Sequence, residues 1–430
     1  MMTETRRSRL RPLAAVLTAA LLTTGCGGPA PSGDGDDGKV SGTVRLLTPI
    51  FEGADGKTVL EKQLADFKSK HPDVAVEVDY TTYAKLNEKL TTSIAGGRPY
   101  DVMLMGVGWI PPFAAKGALA ELDENKQDLT KRYNERVVQP GIYQDKVYGL
   151  PIMLDTRFGI YRKDIFAQAG ITAPPSNFTE LREMARKLTV RDGSGKLTRA
   201  GVDILSNDLR QTFLPLMWAN GGELFTPDGK PAFNSPQAVG ALQLMTDIIR
   251  TDKSEDFGFT QPGATSLPLA QGRAAMMVGH NNHLLAIEEQ APELVKEDKI
   301  GFFMINNERP AMFQGGTLAT VSAKSQHPAA AKALVRFLTD EQASLAANEQ
   351  RGNVPALNGL ADSDYVKSNK AAQFAMENLD AAFSEGGVPA WLEIRGDFKA
   401  AIEAALLGQK TPQQALDELA AKAQAAIAKG

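Results

Sequence analysis

The stretch 149–166, GLPIMLDTRFGIYRKDIF, decides how the rest of the chain is read. Gly149 and Pro151 punctuate its start. Ile152, Leu154, Phe158, Ile160 and Tyr161 supply the apolar and aromatic content of a buried strand. Asp155 interrupts that content. A carboxylate between apolar neighbours costs free energy unless it is paired, hydrated in a cleft or aimed at a ligand. Two readings follow: Asp155 pairs with Arg157 and caps the strand, or it faces a ligand. The strand itself is expected to leave one lobe, cross a cleft and enter a second.

Upstream, 41–48, 74–78 and 101–105 read as strands, and 58–71 and 83–94 as the helices between them. Pro72 and the run Gly96-Gly97-Arg98-Pro99 stop those helices. This β-α-β-α-β order predicts a mainly parallel sheet with helices on its faces. Such sheets bind ligands in the loops after the carboxyl ends of strands. Two loops qualify: 48–53, which carries Phe51, and 106–109, which carries Trp109. Trp109 is either a flat apolar platform at a cleft mouth or local packing under its own loop.

Downstream, 176–188, 213–222 and 235–249 read as helices, with Trp218 and Asn220 at the end of the second. The segment 190–200 reads as a polar hairpin or loop. Residues 267–278 read as a helix, a turn at Gly272 and a strand feeding the loop 279–283, which holds His280, Asn282 and His283. Strands are expected at 300–305 and 314–321, helices at 328–338 and 341–350, and a turn at 351–355. From 371 to 430 the chain is Ala-rich and reads as helix, with an interruption around Gly386-Gly387 and a cap at Thr411-Pro412.

The chain has 430 residues, enough for two domains. Its net charge is −4, although four arginines against one glutamate lie in the first 25 residues, so the body is more acidic still. An acidic body without a basic block argues against nucleic acid as a partner. The lone cysteine, Cys26, allows neither an internal disulfide nor a cysteine metal site. It follows Arg6, Arg7, Arg9 and Arg11, then the short apolar run 13–22 and Thr23-Thr24-Gly25, the anatomy of an export signal. The ending Leu22-Thr-Thr-Gly-Cys26 resembles a bacterial lipobox, with Thr23 where an aliphatic residue is preferred, and 5–10 resembles a twin-arginine motif. An ordinary export signal with a chance cysteine is the alternative. The Gly/Pro/Ser/Asp-rich segment 27–39 reads as a flexible tether.

Motifs of catalysis are missing. Phe51 stands where a phosphate loop opening before Gly56-Lys57-Thr58 needs its first glycine. Gly193-Ser194-Gly195 lacks the spacing of a nucleophile elbow. His280 and His283 are spaced by three in a loop, not by four on a helix, and read as polar loop residues of which one could touch a ligand. No cofactor, metal or catalytic residue is expected.

The lipobox, the tether, the β-α-β-α-β opening and the run GLPIMLDTRFGIYRKDIF together resemble the extracellular solute-binding proteins of ABC importers, in their carbohydrate-binding, maltose-binding-protein-like branch. The segments 109–122, 218–225, 269–278 and 406–427 carry the same likeness in the family's order. The resemblance implies a periplasmic-binding-protein-like type II α/β fold: two lobes, a hinge and an interlobe cleft that closes on a ligand. One lobe would comprise 40–152 plus 308–355, the other 156–305 plus 360–430. Asp155 then matches an acidic residue that grips sugar hydroxyls, and Trp109 lies in the first lobe's contact loop. Gln211 and Phe213 fall at an aromatic subsite of the second lobe. Asn282 sits where maltose-binding protein has a stacking tryptophan, and Arg395 near another of its stacking aromatics, so a more polar pocket is expected. Trp218 and Trp391 are candidates to stack from nearby, with core packing as the alternative for Trp391. Gly315, with Gly316, matches a glycine-rich segment beside the cleft, or is a plain turn.

The function this implies is capture of a sugar and delivery to a permease, by a monomer held to the outer face of the cell membrane through lipidated Cys26. The implied partners are two permease subunits and a cytoplasmic ATPase. The rival readings are a secreted carbohydrate-active enzyme, a binding protein for a non-sugar polar solute, and a lobe pair reused as a sensor or adhesin.

Overall fold

β1 (Gly42–Thr48), β2 (Val74–Tyr80) and β3 (Val102–Gly106) pair in parallel in the order β2-β1-β3. Helices α1 (Gly53–Lys70) and α2 (Tyr83–Ala95) make the crossovers. Val44, Leu46, Val102 and Leu104 are fully buried, as the side chains of a doubly covered parallel sheet must be. The structure is a computed structural model that describes residues 39–261 and 266–429. The expected export signal, Cys26 and all of the tether but Lys39 lie outside those residues.

α1 starts earlier than residue 58. Gly53, with φ +78°, opens it, and Gly56 lets its first turn rest on Phe51, whose carbonyl carbon would lie 2.8 Å from a Cβ at Gly56.

The stretch quoted first forms one 14-residue strand, Gly149–Arg162, about 45 Å long at the rise of an extended chain. A short helix, Lys163–Gln168, continues it. Its first half pairs antiparallel with Pro310–Val321, which joins it to β3. Its second half pairs antiparallel with Ala274–His280, which is parallel to Leu197–Asp203. The sheet order is therefore β2, β1, β3, 310–321, 149–162, 274–280, 197–203 and 190–191. Among the described residues two large apolar cores and a smaller one, around Leu47, Met103, Met105 and Trp109, lie along it. Phe67, Leu104, Leu150 and Phe158 belong to one large core; Phe166, Phe213, Trp218, Trp391 and Phe398 belong to the other. Because one sheet runs through these cores, Gly38–Gly430 is a single compact unit in its contacts.

Three local expectations are corrected. Residues 268–272 form turns rather than a helix before the strand at Ala274. The turn expected at 351–355 contains a short strand, Val354–Pro355, paired with Met153 and Leu154. The Ala-rich final region is not all helix. Ala382–Ser384 is a strand paired with Met312–Gln314, and Phe383 lies stacked on Trp218 with the Arg136 and Arg309 guanidiniums 4.5 and 4.6 Å from its ring. Tertiary pairing overrides the local propensity there. Among the described residues no helix is long and apolar enough to cross a membrane.

Candidate functional site

Asp155 lies in mid-strand, where the long strand passes from one partner to the next. It faces Gly315 across the ladder, while Arg157 faces His280 on the other side. A spacing of two puts Asp155 and Arg157 on one face of the sheet. Arg157 Nη1 donates to Asp155 Oδ1, and Arg157 Nη2 donates to Gln211 Oε1 at 2.5 Å. His280 Nε2 also meets Asp155 Oδ1. His280 Nδ1 accepts the Asn282 N–H at 3.0 Å, so the imidazole proton sits on Nε2 and points at Asp155. Among the described residues Asp155 Oδ2 has no hydrogen-bond partner, and the side chain is 30% exposed while Arg157 is 6% exposed. The Arg157 pairing expected from the sequence is present, but in mid-strand rather than as a strand cap, and the second carboxylate oxygen is open.

Burial would raise the Asp155 carboxyl, but Arg157 and His280 outweigh it and hold it well below the usual carboxylate range. Burial, followed by the Arg157 charge, pushes His280 down. His283, 5.8 Å from His280 ring to ring, is pushed down to about 3, by burial first and then by His280. At neutral pH the site is therefore an ionised carboxylate, a buried guanidinium and two neutral imidazoles.

Tyr83, in the first turn of α2, brings its hydroxyl to Thr317 beside this group. Tyr83 is 39% exposed, but desolvation of its hydroxyl first, with Asp155 adding to it, raises that phenol to about 12, so it stays neutral.

A second polar group forms at Trp109. The Arg395 guanidinium lies 5.8 Å from the Trp109 ring, and Glu385 contacts both Arg210 and, at 3.6 Å, Arg395. Arg210 lies 5.9 Å from the Trp391 ring. Burial, then the charges of Arg395 and Arg157, lower Arg210 to about 9, with Asp208 opposing. Gly108 and Gly386 abut here: a Cβ on Gly386 would lie 2.7 Å from the Gly108 Cα. A cavity of about 500 Å³ opens beside this seam, lined by Gly108, Tyr143, Trp218, Phe225, Phe383 and Glu385 among others. Asp155 does not line it.

The structure thus brings together Asp155, Gln211, His280 and Gly315, and separately Trp109, Trp391 and Arg395. Gly315 lies within a strand rather than a turn. Asn282 precedes the helix His283–Gln290. Phe51 and Phe213 are core side chains, 1% and 0% exposed, and offer no face to a ligand in this conformation. Trp218 is stacked on Phe313 and Phe383. Trp391 is fully buried between Phe225 and Phe398, as its packing alternative has it, though its indole nitrogen faces Gly108. Asn220 is tied to the Gln237 carbonyl and to Asn307.

Tyr83, Thr317, Arg210 and Glu385 are not singled out by sequence reasoning. Tyr83 was within reach of the carboxyl-end rule, since it follows β2. Arg210 and Glu385 carry no local signal. Among the described residues no group of three or more His, Cys, Asp or Glu could hold a metal.

The profile of the bacterial extracellular solute-binding proteins matches residues 52–344. A putative binding protein of Brucella abortus is 28% identical over 407 residues, covering 90% of this chain and 94% of that protein. The diacetylchitobiose binding protein DasA of Streptomyces coelicolor is 23% identical, covering 95% and 96%. The GacH receptor of Streptomyces glaucescens, crystallised unliganded and with acarbose, superposes with a TM-score of 0.74 at 20% identity, covering 90% of this chain and 99% of that one.

Proposed function

The chain belongs to the bacterial extracellular solute-binding proteins, and from that premise we propose that it captures a sugar at Asp155 for an ABC importer. Its fold is the type II periplasmic-binding-protein-like one expected from the sequence. The family consists of binding proteins that work outside the cytoplasm. The observation that carries the sugar reading is the open Oδ2 of an ionised Asp155, beside Arg157, Gln211 and the His280 N–H.

A carboxylate oxygen accepts hydroxyl donors, an amide and a phenol pair with the remainder, and an aromatic face covers the apolar side of a ring. Gln211 and Tyr83 are the residues for the polar tasks; Trp109, 4% exposed and stacked on Phe113 beneath Arg395, serves as the ring face once Arg395 moves aside. Relatives support an oligosaccharide: one binds diacetylchitobiose, another galactooligosaccharides. The lobes are 40–152 plus 308–355 and 156–305 plus 360–430, closing on the ligand as a hinge. The sugar is released unaltered to permease subunits. Cys26 carries the lipid that holds a monomeric protein at the membrane.

Calorimetry against a panel of mono- and oligosaccharides is expected to find a tight ligand that Asp155→Ala abolishes. Recovery of the same sugar, chemically unchanged, separates binding from the rival enzyme reading. Failure of every sugar, with a non-sugar solute bound instead, would overturn the proposal.

A further inference from the structure

Behind the turn that leads from the strand Leu197–Asp203 to the helix Leu209–Ala219, two carboxyl groups share one hydroxyl. Asp203 is 1% exposed and Glu255 is 0% exposed. Thr260 Oγ1 lies 3.0 Å from Asp203 Oδ1 and also touches Glu255 Oε1. A hydroxyl has one proton to donate. One of the two contacts therefore needs a proton from the carboxyl side.

The surroundings say which. Asp203 is equipped to stay charged: the Leu205 and Ser206 N–H groups donate to Oδ1 at 3.0 and 2.9 Å, and the Ser206 hydroxyl donates to Oδ2. Glu255 receives a single N–H, that of Ile204, at 2.8 Å. Among the described residues no cation forms an ion pair with either. Arg191 is committed to Asp256, Arg182 and Arg186 to Asp247 and Asp252, and Arg199 and Arg273 donate to backbone carbonyls. Two uncompensated carboxylates this close in a dry interior would repel strongly.

We infer that the folded protein keeps one proton on Glu255, and that this proton fixes the turn that sets Arg210 against Glu385 and Gln211 against Arg157 at the proposed cleft. The cluster holds three consecutive backbone N–H groups, Ile204 to Ser206. Asn207 is then tied to the Val278 carbonyl, and Asp208 caps the helix by accepting from the Arg210 and Gln211 N–H groups. Burial, with Asp203 beside it, pushes the Glu255 carboxyl well above its ordinary value, and burial pushes Asp203 up as well. A carboxyl raised in the folded state stabilises fully below its unfolded pKa, and that contribution is lost as pH rises through the folded value. Asp203 and Glu255 act on the cleft through the turn, so they are positioning residues. The part of the inference that concerns the cleft rests on the proposed sugar site.

The test is thermal unfolding of the ligand-free protein from pH 5 to 9, wild type against Glu255→Gln. The amide imitates the protonated acid: its oxygen accepts from Ile204 and its NH₂ donates to Thr260. The wild-type midpoint is expected to fall relative to the variant by about 2–4 °C across that range. Wild type should also show, at pH 7, an infrared carbonyl band of a protonated carboxyl that the variant lacks. A parallel pair of pH profiles with no such band overturns the inference, and if the variant does not fold the wild-type band decides alone. For the cleft, wild type is expected to bind the panel sugar about fivefold or more weakly at pH 9 than at pH 6, with Glu255→Gln unchanged. Equal affinities overturn that coupling. Absence of all sugar binding would count against the proposed function and leave the unfolding comparison intact.

Discussion

Asp155→Asn preserves shape and removes one charge, and the structure separates its two costs. In the free protein Arg157, 6% exposed, keeps Gln211 but loses its anion. Breaking a fully buried pair costs about 3–5 kcal/mol, but Asp155 is 30% exposed, and water screens the pair to about 1–2 kcal/mol. In the complex the carboxylate accepts sugar hydroxyls through charge-assisted hydrogen bonds, each contributing about 1.5–3 kcal/mol. An amide keeps one acceptor oxygen and turns a donor toward the hydroxyls. The expected net loss is about 2–4 kcal/mol of binding, roughly 30- to 1,000-fold in Kd. Calorimetry at pH 7 with the tightest sugar reads the second cost, and thermal unfolding reads the first. A variant that loses stability but binds within about threefold of wild type would show that Asp155 serves Arg157 alone.

Asn281 is fully buried. Its side chain accepts the Thr156 N–H at 2.8 Å and donates to the Gly352 carbonyl at 2.8 Å, so Asn281→Ala is expected to cost about 2–4 kcal/mol in denaturant unfolding. Gly386→Ala would drive a methyl into the Gly108 backbone at a φ of +111°. It is expected to weaken sugar binding at least about tenfold, and to leave small-angle scattering of the sugar-saturated protein more extended than wild type. His283, held down to about 3 by burial, contributes stability that is present above the unfolded value near 6.5 and lost as pH falls from there toward 3. The midpoint difference between wild type and His283→Gln should shrink between pH 7 and 5; a constant difference would contradict the buried neutral imidazole.

The fold was legible where local pattern and tertiary demand agree. The alternating stops and apolar runs before residue 106 predict a mainly parallel sheet, though not its β2-β1-β3 order, and the aliphatic run around Asp155 marks the long strand. Pattern failed at Ala382–Ser384, where an Ala-rich context reads as helix but pairing with Met312–Gln314 and packing of Phe383 decide for strand. At the site, Asp155 was visible as a charge out of place in an apolar run. Tryptophans and phenylalanines were harder to place, because the same ring suits a core or a stacking platform: Phe213 and Trp109 are both packed in core clusters, although Trp109 also meets Arg395. Arg210 and Glu385 are 175 residues apart in sequence and meet only in the folded chain. The shared hydroxyl of Asp203, Glu255 and Thr260 is equally a product of long-range folding.

The most direct measurement is a crystal structure of the protein with the tightest sugar of the panel. The complex is expected to hold an intact sugar with at least one hydroxyl within about 3.2 Å of Asp155 Oδ2, with Trp109 close to a ring face. A sugar bound away from Asp155, or one recovered with a glycosidic bond cleaved, would contradict the proposed function.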